Sequence, residues 1–391
     1  MSRLPLYITQ FFSGIVWVTL GPLLDSILRD LDIPLAQGGL PALAFFLGTV
    51  TGAVVLNIFL ARIPVHLCLV GAALVECAGL AAAGLLSRGL WSFVVAYFVA
   101  GLPCMVIALI PGMWVSAHVR EKTAYTLSLV MTASASSMMI TPLIIGGLLS
   151  GGVTWRWVLV GEAVVAVALA VVLALCPLAD IEGRENLRLR QLKAVVSHNP
   201  RLFAGIVAAS FLFMGAETTL TVWLPKFQVD VFAATATWAS LTVTFYWVGQ
   251  LLGRAVGIPL TRRRLPSSIL MFSTIWLALF IVVVAVSPNQ AASLVLTFVA
   301  GLGVCVCFSV IGSYSSRFPH WHAGVVFSVF EFSAGVGAMV FPYITGPVAA
   351  GWGFRAALAM AAVPAFIVAL LALYLRRVSG ETRTPEGKPA S

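Results

Sequence analysis

Charge is what this sequence has least of. Asp, Glu, Lys and Arg make up 9% of its 391 residues, where soluble chains carry about 25%. So little charge excludes an ordinary soluble domain. Several chemistries are missing as well. The six cysteines (Cys68, Cys77, Cys104, Cys176, Cys305 and Cys307) form no CxxC pair and all fall in apolar runs, so they read as small packing residues, not as metal or redox ligands. No GxxxxGK(S/T) loop is present to hold ATP, and neither HExxH nor GxGD is present to support an intramembrane hydrolase. No enzyme activity, metal or cofactor is therefore expected.

What is present is apolar: 60% of the residues are hydrophobic. They gather in runs of roughly 18–25 residues, each long enough to cross a ~30 Å hydrocarbon core as a helix. The first run continues into a membrane pattern and reads as a transmembrane helix, not a signal peptide. Twelve spans are expected, at about 5–28, 38–60, 66–87, 91–116, 125–149, 155–177, 202–226, 235–259, 266–287, 291–314, 324–348 and 354–376. With both termini in the cytoplasm, the inner loops collect most of the Arg and Lys. The outer ones keep only Arg29, Arg88, Arg156, Lys226 and Arg355. The net charge of +9 is thus a topology signal of the positive-inside kind, not a nucleic-acid footprint.

The chain repeats itself. FVAGL occurs at 98–102 and again at 298–302, and Pro142 and Gly146 return as Pro342 and Gly346. Gly48 and Gly52 in span two match Gly249 and Gly253 in span eight, and Trp155-Arg156 matches Phe354-Arg355. Offsets near 200 in a common order indicate two parallel six-helix halves. The expected organisation is residues 1–177 as the first half, 178–201 as a cytoplasmic, part-helical linker, 202–378 as the second half, and 379–391 as a disordered cytoplasmic tail.

Two six-span halves, a basic central loop and glycine-spaced second and eighth spans resemble the major facilitator superfamily over essentially the whole chain. The resemblance implies an all-α fold of twelve helices in two pseudo-symmetric halves, with a solute site near the membrane midplane. It implies that spans one, four, seven and ten line the cavity. It also implies that Gly249, Gly253, Arg254 and Gly257 form a conformational latch. The segment NIFLARIPVH after span two departs from the family's charged loop, keeping only Arg62, and GQLLGRAVGIPLTRRR after span eight lacks the loop's acid. ITPLIIGG, 140–147, only partly matches the glycine-proline motif of the family's drug antiporters. GAETTLTVWLPKF is similar to the start of span seven in the fucose and glucose permease branch.

Acids inside spans are the functional candidates, because a mid-bilayer charge costs at least roughly 2.5–3.5 kcal/mol. Glu217 lies in span seven beside a glycine, Thr218 and Thr221, as on a helix facing a solute. Such a carboxylate can exchange a proton; the alternative is a protonated Glu in an interhelical hydrogen bond. Glu331 in span eleven is a second proton-coupling candidate or an interface hydrogen bond. Glu76 and Glu162, in peripheral spans, read as packing groups, Asp25 as a solvated helix-end charge, and Lys226 as a snorkelling cation. His320-Trp321-His322 reads as a loop. Tyr7, Gln10, Gly14, Trp17 and Gly21 share one face of span one. Of these, Tyr7, Gln10 and Trp17 join Thr218, Thr221, Tyr246 and Gln250 as expected solute contacts; an ordinary packed face is the alternative for span one. Pro103 and Pro111 should bend span four.

The expectation is a monomeric, proton-coupled symporter of a small polar solute, a sugar or organic acid, in a bacterial inner membrane. Its partners are the solute, protons and the lipid bilayer. A proton-driven efflux antiporter for amphipathic compounds is the first alternative, and a non-transporting sensor or scaffold the second.

Overall fold

A backbone in hydrocarbon must satisfy its own hydrogen bonds, which leaves this chain the helix as its building unit. The computed structural model describes residues 4–59, 62–119, 123–181, 189–261 and 263–381, and among them no strand occurs. The helices are α1 (Leu4–Asp30), α2 (Leu40–Phe59), α3 (Val65–Leu85), α4 (Leu90–Gly101), α5 (Cys104–His118), α6 (Thr123–Ser150), α7 (Trp155–Leu175) and α8 (Leu189–His198). They continue with α9 (Pro200–Phe232), α10 (Ala236–Thr261), α11 (Pro266–Ala285), α12 (Gln290–Val304), α13 (Cys307–Ser313), α14 (His320–Trp352), α15 (Phe354–Met360) and α16 (Ala362–Val378).

Eleven stretches of the described residues are long and apolar enough to cross a membrane. The twelfth span is α10, 26 residues long, whose Thr237, Ser240, Thr242, Thr244, Gln250 and Arg254 dilute its hydropathy. Spans four, ten and twelve each consist of two helices in succession: α4 with α5, α12 with α13, and α15 with α16. The first break falls at Leu102-Pro103, where proline withdraws an N–H from the helix. Pro111 rides inside α5. The break in span ten, at Cys305-Val306, has no proline.

The chain forms two compact units. One comprises Met1–Asn186 with Thr235–Thr244, the other Leu187–Ala234 with Phe245–Ser391. Within each, the sequence repeat is a packing repeat. In the first unit a Cβ on Gly48 would meet the Phe98 carbonyl oxygen at 2.2 Å, and one on Gly52 the Leu102 oxygen at 1.7 Å. In the second, Gly249 and Gly253 stand in the same relation to Phe298 and Leu302, both at 2.3 Å. The glycine pair on span two or eight and the FVAGL of span four or ten are therefore two sides of one backbone-to-backbone contact, which only a missing side chain permits.

The arginine repeat is also structural. Arg156 Nη1 donates to the carbonyls of Gly84 (3.2 Å) and Ser87 (2.8 Å). Arg355 Nη1 donates to those of Ala285 (2.7 Å) and Ser287 (3.0 Å). Each cation thus closes the carboxyl end of α3 or α11, where carbonyls lack helical partners and the dipole favours positive charge. Arg355→Ala is expected to cost about 1–2 kcal/mol, since the side chain is partly solvated. A thermal melt of the purified protein should fall by several degrees, with Arg355→Lys recovering part of the loss.

The opposite, amino ends of the same two helices are capped by acids from far along the chain. Asp180 Oδ1 accepts from Val65 N at 3.1 Å. Glu381 Oε2 accepts from Ser267 N at 3.2 Å and from its hydroxyl at 2.6 Å. The tail expected to be free from Ser379 onward is therefore anchored through Glu381, because a buried amide needs a partner; residues 382–391 lie outside the described residues. The linker is part helical, in α8.

Candidate functional site

The site is set on α9. Its start is marked in the sequence: Asn199 accepts from Leu202 N at 3.1 Å and Pro200 occupies the first turn, a favoured cap and a favoured first residue. From there α9 runs 33 residues with Pro225 inside it. It is fixed along α14 at several levels. Ser210 and Ser333 hydroxyls touch, Gly337 lies against the Phe211 backbone and Gly215 against the Phe341 ring. Further along, the buried Trp223 donates its indole N–H to the Pro342 carbonyl at 2.8 Å.

Glu217 sits between these anchors, 8% exposed. Its Oε1 accepts from the Tyr246 hydroxyl at 2.9 Å and from Gln250 Nε2 at 2.5 Å. Both donors come from α10, one turn apart, and the backbone that carries them is held by α12: a Cβ on Gly301 would meet the Tyr246 carbonyl oxygen at 2.2 Å. Arg254, one more turn along the same stripe, is within electrostatic reach of the carboxylate. A buried charge is tolerable only with donors and countercharge, and this carboxylate has both. Neither of the two bonds uses Oε2, which is left to take a proton or a solute hydroxyl.

The other sequence candidates are distributed as follows. Thr218 is buried beside Glu217, and the Thr221 hydroxyl is turned back to the carbonyls of Glu217 and Thr218. Glu331 is half-buried on α14, two residues before Ser333. In the first unit Tyr7 is half-buried and Gln10 Nε2 contacts Met131 Sδ at 3.9 Å, while Gln10 Oε1 is buried without a partner. Trp17 lies edge-on to Phe46, and Gly14 is pressed against the Ser134 carbonyl and the Ser137 hydroxyl of α6. The shared face of span one is thus, at Gly14, a helix-packing face. Gly249, Gly253 and Gly257 have α12, Cys305 and Val306 as neighbours, and Arg254 is half-buried. Lys226 does not snorkel: it is buried and its Nζ pairs with Asp230 Oδ1 at 2.5 Å, one turn on. Asp25 is paired with Arg29 at 3.1 Å. The side chains of His320, Trp321 and His322 lie outside the described residues.

Sequence reasoning named Tyr246, Gln250 and Glu217 separately and did not join them. The available signal was the i, i+4 spacing of two donors on the span that follows the acid.

The comparisons agree with this architecture. The family model of the Major Facilitator Superfamily matches residues 6–267 and 231–390. A glucose/mannose transporter of Bacillus subtilis (strain 168) is 28% identical over 138 residues, 35% of this chain and 34% of that protein. A hexose carrier protein of Ricinus communis is 39% identical over 79 residues, 19% of this chain and 16% of that one. The match thus spans about a third or less of the length of these curated relatives. Among solved structures, a D-xylose-proton symporter superposes with a TM-score of 0.77 at 13% identity, over 95% of this chain and 96% of that one. The nucleoside transporter NupG gives 0.76 at 14%, over 96% and 99%. From the family match over nearly its whole length, the chain belongs to the Major Facilitator Superfamily and is an integral membrane transporter, not an enzyme.

Proposed function

We propose that this transporter is a proton-coupled symporter of a small polar solute, a hexose or similar sugar, or else an organic acid, working by alternating access with Glu217 as the proton carrier. The observation behind this reading is the single oxygen of Glu217 that takes both donors from α10. Ionised, the carboxylate is held by Tyr246, Gln250 and the field of Arg254. Protonated, it loses its charge and becomes a donor itself. A change of one charge in a desolvated place alters which conformation is favoured, and that is what coupling requires. Tyr246, Gln250, Thr218 and Thr221 from the second half, with Tyr7, Gln10 and Trp17 from the first, are the proposed solute contacts. Glu331 is a second proton-coupling candidate, and Gly249, Gly253, Arg254 and Gly257 the proposed latch. The sugar assignment is supported by what the partly matching relatives carry. The setting is a bacterial inner membrane, with both termini cytoplasmic and the chain a monomer.

The test is uptake into proteoliposomes of the wild-type protein. Radiolabelled glucose, mannose, xylose and a panel of organic acids are offered with the outside acidic. Accumulation of one of them above equilibrium, abolished by a protonophore, is the expected result. Counterflow that ignores both gradient and protonophore would make the protein a uniporter. Efflux of dyes with no solute uptake would favour the exporter reading.

A further inference from the structure

The first half contains a second polar interior that Glu217 does not touch. Glu162, eighth residue of α7, and Glu76, twelfth of α3, are 7% and 1% exposed. They lie within electrostatic reach of each other, and each has an Oε2 that is buried with no hydrogen-bond partner. Thr19 of α1 reaches the other oxygen of Glu162, with Oγ1 and Oε1 2.5 Å apart. The same Thr19 hydroxyl is 2.9 Å from the Ile15 carbonyl oxygen.

The proton count decides the chemistry. A threonine hydroxyl has one proton and two lone pairs, a carbonyl oxygen can only accept, and an ionised carboxylate can only accept. If the Thr19 proton goes to Ile15, the proton in the Thr19–Glu162 contact must come from Glu162. If it goes to Glu162, that carboxylate has a single neutral donor, the second carboxylate nearby, and an empty buried oxygen. Glu217 shows what a buried acid can receive in this protein: two donors on one atom and an arginine in reach. Among the described residues, the surroundings of the pair offer nothing of the kind. From α1 they meet Thr19, and the charged groups of that helix, Asp25, Arg29 and Asp30, lie further along it, Arg29 bound to Asp25. From α4 comes Tyr97 and from α5 Cys104, both buried. Of the other titratable groups on α3, His66 stands at its amino end and Cys68 and Cys77 are half-buried thiols. Arg156, on α7, is committed to Asp30 at 2.9 Å and to two carbonyls. Two buried carboxylates side by side cannot both ionise cheaply, because each charge is taken out of water and faces the other.

We propose that Glu162 and Glu76 form a proton-binding site inside the first half, separate from Glu217. Glu162 is the neutral acid that donates to Thr19 Oγ1, and the pair exchanges its protons with water as one coupled unit. This places a titratable junction where α1, α3 and α7 meet. Loss of the proton would turn the Thr19 hydroxyl from the Ile15 carbonyl toward the carboxylate and leave a buried charge where α1 meets α7.

Infrared spectroscopy of the purified protein in lipid tests this whether or not any solute is transported. The carboxylic-acid C=O stretch is resolved from that of ionised carboxylate and shifts when its proton is replaced by deuterium. Wild type is expected to show this band at neutral pH, to shift it in heavy water and to lose it on alkalinisation. Glu217→Gln should retain the band, and Glu162→Gln should lose its Thr19-bonded component. Thr19→Val keeps both carboxyls and removes only the acceptor. It should move the band to the position of a less hydrogen-bonded acid, and it carries the test if Glu162→Gln does not fold. A band unchanged in Thr19→Val, or absent from wild type at neutral pH, overturns the assignment. A band that neither exchanges nor titrates while the protein stays folded makes the proton a fixed structural one and overturns the exchange.

Discussion

Glu217→Gln should abolish accumulation driven by a pH gradient while leaving exchange of solute at equilibrium within a few-fold of wild type. Glutamine has nearly the shape of a protonated glutamate, and its amide oxygen can still accept from the Tyr246 hydroxyl and Gln250 Nε2 where Oε1 now does. The α9–α10 contact therefore survives, and only the titration is removed. The size of the effect follows from the driving force. One pH unit is about 1.4 kcal/mol per proton, so a carrier moving one proton per solute can hold about tenfold accumulation across a one-unit gradient. The variant should hold none, its internal and external concentrations meeting, while counterflow continues. Full accumulation by the variant would make Glu217 a structural group and move the search for the carrier to Glu331.

The second large effect concerns the glycine seam. Gly253→Val should remove most folded protein from a size-exclusion profile, and Gly52→Val should do so more completely. A Cβ at these positions would stand 2.3 Å and 1.7 Å from backbone carbonyl oxygens of Leu302 and Leu102. Overpacking a core costs typically about 1–3 kcal/mol when side chains can give way. Here the obstacle is main chain, inside α12 at Leu302 and at the α4–α5 break at Leu102, so the cost lies at or above the upper end of that range. The damage would not stay local, because Tyr246 and Gln250 sit on the same packed length of α10 that Gly301 holds in place. Gly71→Ala is the matched control. Nothing lies within 4 Å of its added Cβ, and alanine is the better helix former by roughly 1 kcal/mol, so it should leave the profile unchanged.

Much of this was legible because membrane proteins write their architecture in one dimension. Span length and the break at Pro103 each depend on residues close together in sequence. So did the repeat, whose glycines and FVAGL motifs proved to be mutual packing partners. The break at Cys305-Val306 left no such mark, since no proline or glycine pair stands there. The joining of Glu217 to Tyr246 and Gln250, and of Glu162 to Thr19 and Glu76, depends on helix rotation. An apolar span hides its rotation, because every face carries leucine, valine and alanine. Lys226 was misread for a related reason: the outer end of span seven suggested water, while α9 continues past it and supplies Asp230 one turn on.

The acids that cap α3 and α11 bear on how the protein is made. Val65 waits 115 residues for Asp180, and Ser267 waits 114 for Glu381. During biosynthesis, each of these helices is threaded into the bilayer with its first amides bare, and they stay bare while the remaining spans of that half are synthesised. The residues just past each half are what close the end of its third span, so that cap forms only once the half is complete.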